Sequence, residues 1–191
     1  MREHSPGAAR LSHDEFTCLV HRHQHQLHMY LAGMLGNAEQ AFDLVQETFY
    51  EAWQAACAGA SPFLPGAADD EVRRWLFRAG SNNALSLLRR KRLIRWESLE
   101  LLGEPDTSAG VRFEDAIVES DALQAALAQL APRDVACLLL RVVHGFSASE
   151  TGHILNTSAN NVNNRLARAK QRLRTAYAPN RTPPREARTP R

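Results

Sequence analysis

Between Ala159 and Arg174 the chain reads ANNVNNRLARAKQRLR. Asn160, Asn161, Asn163 and Asn164 crowd into about one and a half helical turns, and Arg165, Arg168, Lys170, Arg172 and Arg174 follow with no acid among them. An asparagine amide pairs bidentately with adenine in the major groove, and an arginine does the same with guanine. Asparagine is a poor helix former, so four together are a costly way to build a merely solvated surface. Asn160, Asn161, Asn164, Arg165 and Arg168 are the candidates for contact with bases or backbone. Asn163 ranks behind them, because successive helical residues diverge by about 100° and not all four amides can share one direction.

Two further charged sets stand upstream. Arg89, Arg90, Lys91, Arg92 and Arg95 form a second basic block. Asp43, Gln46, Glu47, Tyr50 and Glu51 fall on the outward side of a helix whose other side is apolar, an acidic row that suits a basic partner groove. Taken alone, the acidic row is better read as an ordinary solvated face, since exposed acids on a helix are normal, and any single basic run also fits one. Cys18, His21, His25 and His28 lie within about an 80° arc of one helix, but ligands strung along about 15 Å of a rigid rod cannot close a tetrahedral shell. A solvated stripe is the expected reading, with no metal. HExxH, Ser-His-Asp and phosphate-cradling glycine patterns are missing, so no enzyme is expected.

The elements that carry these sets are helices with readable ends. Ser12 and Glu15 form a capping box before Phe16, Val20, His23, Leu27, Tyr30, Leu31 and Met34, which recur at helical spacing up to Gly36. Asn37 with Gln40 caps a second helix, in which Ala41, Leu44, Val45, Thr48, Phe49 and Trp53 form the apolar stripe. A loop over 57–68 carries Gly59, Pro62, Pro65 and Gly66, and Asp69 or Asp70 starts a third helix with Trp75, Leu76, Ala79, Leu85 and Leu88. After an acidic, polar stretch, Leu123, Leu127 and Leu130 begin new helical structure. Pro132 opens a helix bearing Val135, Leu138, Leu139 and Val142, and Gly145 stops it. Ser147 and Glu150 cap a short helix, Asn156 to Ser158 turn, and Val162, Leu166, Ala169 and Leu173 face the final helix inward. Residues 147–174 therefore read as a helix-turn-helix.

With 191 residues, 44% hydrophobic and 23% charged, the chain has the composition of a globular protein. No apolar run reaches the length of a membrane span, no secretory leader is visible, and three scattered cysteines argue against a disulfide framework, so no membrane insertion and a cytoplasmic site are expected. The expected fold class is all-α: helical domains over 12–96 and 119–177, joined by a flexible acidic linker over 97–118 that lets them move independently, and a disordered basic tail over 178–191.

DLVQETFYEAW (43–53), WLFRAGSNNALSLLRRKR (75–92) and the stretch from Leu130 to Arg174 together resemble the extracytoplasmic-function sigma factors of bacterial RNA polymerase, in the sigma-70 family. The resemblance implies that the first domain, region 2, docks on the polymerase clamp helices and opens DNA at the -10 element, while the second, region 4, sits on the flap and reads the -35 element. It places Asp43, Gln46, Glu47 and Tyr50 on core polymerase, Asn82, Arg89, Arg90 and Arg92 on -10 DNA, and Asn160, Asn161, Asn164, Arg165 and Arg168 on -35 DNA. Core RNA polymerase, promoter DNA and an anti-sigma factor are the implied partners; no cofactor is implied. Four departures stand out. Asn156 replaces the usual turn glycine and tolerates the same left-handed backbone. Gly152 replaces alanine and should weaken its helix by up to about 1 kcal/mol. Ser81 replaces an arginine, losing a charge near the DNA. The loop before Trp75 is long and ends in Asp69, Asp70 and Glu71. The competing readings are a dimeric helix-turn-helix regulator acting without polymerase, which leaves residues 43–53 unexplained, and a metal-dependent sensor or hydrolase built on the His/Cys stripe.

Overall fold

The computed structural model describes residues 11–99 and 117–177. The expected disordered tail and most of the expected linker lie outside the described residues.

Ser12 Oγ accepts from the Glu15 amide at 3.2 Å and the Glu15 carboxylate takes the Ser12 amide at 2.8 Å, starting α1 (His13–Leu35), which Gly36 ends in the left-handed region at φ 64°. The Asn37 side chain caps α2 (Ala38–Cys57) through the Gln40 amide at 2.9 Å. The third helix, α3 (Asp69–Leu99), starts where the acids predict and runs into the segment expected to be linker. Against α1 it sets Gly80, where a Cβ would come within 3.1 Å of Leu27, so the two backbones approach closely. Tyr30, Leu27, Leu31, Leu76 and Phe77 are fully buried between α1 and α3, and Ala41, Leu44, Val45 and Phe49 seal α2 onto them.

The second half comprises α4 (Ile117–Ala128), α5 (Pro132–Leu138), a π-helical turn over Leu139–Val143, α6 (Ala148–Leu155) and α7 (Ala159–Tyr177). Pro132 stands in the first turn of α5, as expected. The π-helical turn, closed by the His144 amide on the Leu139 carbonyl at 3.0 Å, inserts residues that a regular helix would not hold. It turns Leu140 fully inward and leaves Val142 56% exposed, which corrects the expected apolar face of this helix. Of the three leucines that begin this half, Leu127 and Leu130 are buried and Leu123 is 42% exposed. Among the described residues there is no strand, in keeping with the all-α expectation.

The halves do not stand apart. A single apolar cluster runs from Phe16 and Leu27 through Phe77 to Leu140, Phe146 and Val162. Where the halves meet, Gly33 of α1 lies so close to Leu139 that a Cβ there would sit 2.9 Å from its methyl group. Independent domains were expected from the acidic linker; composition alone could not show that residues on both sides of it share a core.

Candidate nucleic-acid interface

The helix-turn-helix is built by local signals. Ser147 and Glu150 form a complete capping box at α6, with Ser147 accepting from the Glu150 amide at 3.1 Å. Hydrogen bonds from Ser147 and the nearby Arg74 guanidinium hold the Glu150 carboxyl below its usual range. Asn156 adopts φ 50° and ψ 58°, the left-handed turn its side chain tolerates. Ser158 Oγ then caps the start of α7 through the Asn161 amide at 3.2 Å. The turn packs directly on Gly152: a Cβ there would lie 2.6 Å from the Thr157 carbonyl oxygen. The expected helix-weakening glycine is thus the residue that lets the turn close.

Val162 and Ala169 anchor α7 in the core. At about 100° per residue Asn160 and Asn164 then project directly away from that core, with Arg168 beside them and Asn163 on the opposite flank; all four are exposed. Asn161 is half-buried and donates to Thr157 Oγ1 at 2.7 Å, inside the turn. Arg165 leaves the outward face altogether: its Nη1 lies 2.7 Å from Asp134 Oδ1, the side chains being 28% and 8% exposed. The structure therefore gathers Asn160, Asn164 and Arg168 on one surface and turns Asn161 and Arg165 to internal work.

In the first half Asn82, Arg89, Arg90 and Arg92 are all exposed on α3. Ser81 is not: it is fully buried, with its hydroxyl 2.7 Å from that of Tyr30 and donating to the Phe77 carbonyl at 2.6 Å. The expected loss of a DNA-facing charge at Ser81 is corrected, since the position faces α1. Phe77 is a core residue, whereas Trp75 is half-buried, edge-on to Phe63 at 4.8 Å. Trp75 helps line a cleft of about 560 Å³ between α3 and α6, with Arg74, Arg78, Glu150 and His153.

Asp43, Gln46, Glu47 and Tyr50 stand exposed in a row on α2. Phe42 joins them, 56% exposed beside the 62% exposed Tyr50. Phe42 is not marked in the sequence, because an apolar residue one position after the core residue Ala41 reads as an extension of the stripe. Asn83 donates to Glu51 at 3.1 Å and ties the helix bearing this row to α3. Along α1, Cys18, His21 and His25 are exposed and His28 is half-buried, and no cluster of three or more metal-ligating side chains forms among the described residues. His23, one helical step away, is instead buried with its Nε2 3.2 Å from Asp69.

An exposed acidic-aromatic row on one helical bundle and an outward asparagine-arginine face on a packed helix-turn-helix are the two distinctive surfaces of this all-helical chain. The sigma-70 region 2 model matches residues 19–94 and the sigma-70 region 4 model matches residues 120–173, in that order, so the chain belongs to the sigma-70 family. It is 31% identical over 175 residues to the ECF RNA polymerase sigma factor SigE of Mycolicibacterium smegmatis, a match covering 90% of this chain and 63% of that protein. It is 30% identical to SigG of Mycobacterium tuberculosis over 84% of this chain and 48% of that protein. The chain thus spans between about half and two thirds of the length of these relatives. The fold is also similar to that of the sigma factor RpoE of Bartonella quintana, solved in complex with the anti-sigma factor NepR, with a TM-score of 0.67, 20% identity, and coverage of 88% of this chain and 99% of that one. No described helix is long and apolar enough to cross a membrane.

Proposed function

We propose that this chain is an alternative sigma factor, a promoter-specificity subunit that binds core RNA polymerase and directs promoter recognition, DNA opening and transcription initiation without catalytic chemistry of its own. The observation that carries this is the ordered pair of sigma-70 regions, each bearing a surface of the appropriate chemistry on exposed residues. The α2 row, Phe42, Asp43, Gln46, Glu47 and Tyr50, docks on a basic groove of the polymerase. The α3 residues Asn82, Arg89, Arg90 and Arg92 meet the -10 element, where initiation requires bases to leave the stack and be trapped. Asn160 and Asn164 read base edges of the -35 element, and Arg168 holds its phosphate backbone. Arg165 acts one step back, through its ion pair with Asp134. An anti-sigma factor is the proposed inhibitory partner, a reading supported by the structural likeness to a sigma factor solved with one bound.

Charge reversal on the docking row tests this directly. Asp43→Lys with Glu47→Lys should abolish co-purification with core RNA polymerase while leaving the far-ultraviolet circular dichroism unchanged, because both side chains are exposed. Undiminished association would remove the polymerase-docking role from α2.

A further inference from the structure

The π-helical turn points His144 back into the first half of the molecule. Its ring lies 5.6 Å from that of Tyr30 on α1 and 4.9 Å from that of Phe77 on α3, and its Nε2 is buried without a hydrogen-bond partner. Arg73 of α3 closes over the same point. It donates to the His144 carbonyl at 2.6 Å and to Gln26 at 3.3 Å, and its guanidinium stacks 4.1 Å from the centre of the Phe146 ring. Arg74 makes a second link, 3.3 Å from Glu150 of α6.

This contact has a cost for a protein that must read two promoter elements. The -10 and -35 elements lie about 25 base pairs apart, or about 85 Å along the duplex at 3.4 Å per base pair. A compact chain of this size is about 40–45 Å across, and its longest helix, the 31-residue α3, spans about 46 Å. With α3 and α6 packed together, the two reading surfaces cannot reach both elements, so the halves have to part.

We propose that the contact between the halves is an acid-sensitive latch in which neutral His144, seated between Tyr30 and Phe77 beneath Arg73, holds the protein closed and protonated His144 releases it. This rests on the sigma-factor reading for its purpose, but not for its mechanism. The groups around the ring offer an imidazolium nothing to pair with. From α3 it meets the Arg73 cation, while Arg74 is engaged by Glu150. From α1 come Tyr30, its hydroxyl bonded to Ser81, and Gln26, occupied by Arg73. On α5 the thiol of Cys137, near Tyr30, is pushed up to about 11 by burial and so neutral, and on the turn itself Arg141 donates to the Phe146 carbonyl. Burial, reinforced by Arg73, accordingly holds His144 down at about 4 against an ordinary 6.5. The open form, with a solvated ring, therefore takes up a proton that the closed form refuses. The closed-to-open ratio is unaffected well above pH 6.5 and falls about tenfold for each pH unit from 6.5 towards 4.

Small-angle X-ray scattering of the full chain, with circular dichroism on the same samples, tests this without polymerase or DNA, so its failure is distinct from failure of the sigma reading. Between about pH 7.5 and pH 5 the closed-to-open ratio of the wild type should drop about 30-fold, seen as a rise in radius of gyration at constant helicity. His144→Gln and His144→Phe, neither able to take up the proton, should lose that pH response, and Arg73→Ala should expand already at pH 7.5. A wild-type radius that does not change with pH, an equal pH response in both His144 variants, or expansion accompanied by loss of helicity would each overturn the latch. The helicity arm also separates out His23, which is buried between α1 and α3 and acts on the first half alone.

Discussion

Arg165 of α7 and Asp134 of α5 meet at 2.7 Å across 31 residues of sequence, and the carboxylate is the more deeply buried partner, 8% exposed against 28%. The pair fixes α7 to the helix behind it, and the unequal burial makes the two partners unequal to remove. Arg165→Ala strands a buried carboxylate and should cost about 3 kcal/mol, whereas Asp134→Ala leaves a guanidinium that can turn to water and should cost about 1 kcal/mol. Urea denaturation of both variants measures the difference. Equal losses would place Arg165 outside the core, where a direct DNA contact is its better explanation.

On the proposed reading of α7, base contact and backbone contact fall to different residues of its outward face. Asn160→Ala or Asn164→Ala should cost about 1–3 kcal/mol on the preferred -35 sequence and relax preference at one base pair. Arg168→Ala should weaken all sequences alike and lower the slope of affinity against salt by about one unit. Asn161→Ala, acting inside the turn, should behave as a stability variant with preference intact. Binding to a randomised -35 library reports all three, and a shift in preference from Asn161→Ala alone would reassign the reading face.

Gly152→Ala makes a prediction opposite to helix propensity. Alanine should stabilise an isolated α6 by about 1 kcal/mol. In the folded protein its methyl group would meet the Thr157 carbonyl at 2.6 Å, and backbone atoms there must move. A net loss of about 1–3 kcal/mol on thermal denaturation is expected, together with weakened -35 binding. A more stable variant would show that the turn yields without cost.

What was legible in the sequence was local. Ser12 with Glu15, Asn37, Ser147 with Glu150, and Asn156 each state a helix end through atoms within four residues, and each stands where expected. The α2 face was legible for the same reason, since Asp43, Gln46, Glu47 and Tyr50 follow from the helical period alone. What was not legible depends on distant partners. Arg165 reads as one more cation in a basic helix until Asp134 is brought beside it, and Ser81 reads as a lost DNA contact until Tyr30 packs over it. The π-helical turn defeats periodicity outright, because it exposes Val142 and presents Leu140 and His144 to positions that a regular 3.6-residue repeat assigns to others. The closed arrangement of the halves is of this kind too: Gly33 against Leu139 is a contact that no single helix announces.

Phe42 and Tyr50 give the proposed docking row apolar surface, and exposed aromatics beside charges are common anchors of an interface. Phe42→Ala should weaken association with core polymerase by about 2 kcal/mol, a roughly 30-fold loss, without altering DNA preference once the complex is saturated. Equal affinity of the variant and the wild type would confine the interface to the polar residues.

Transcription in a purified system reads out promoter-directed initiation itself. Core RNA polymerase is mixed with the full chain and a genomic promoter library, and transcript starts are mapped. Initiation is expected at a discrete set of sites that share a -35 and a -10 sequence and that vanish with the Asp43→Lys, Glu47→Lys variant. Starts no different from those of core alone, with duplex DNA still bound by the chain, would contradict it and leave a helix-turn-helix protein that works without polymerase.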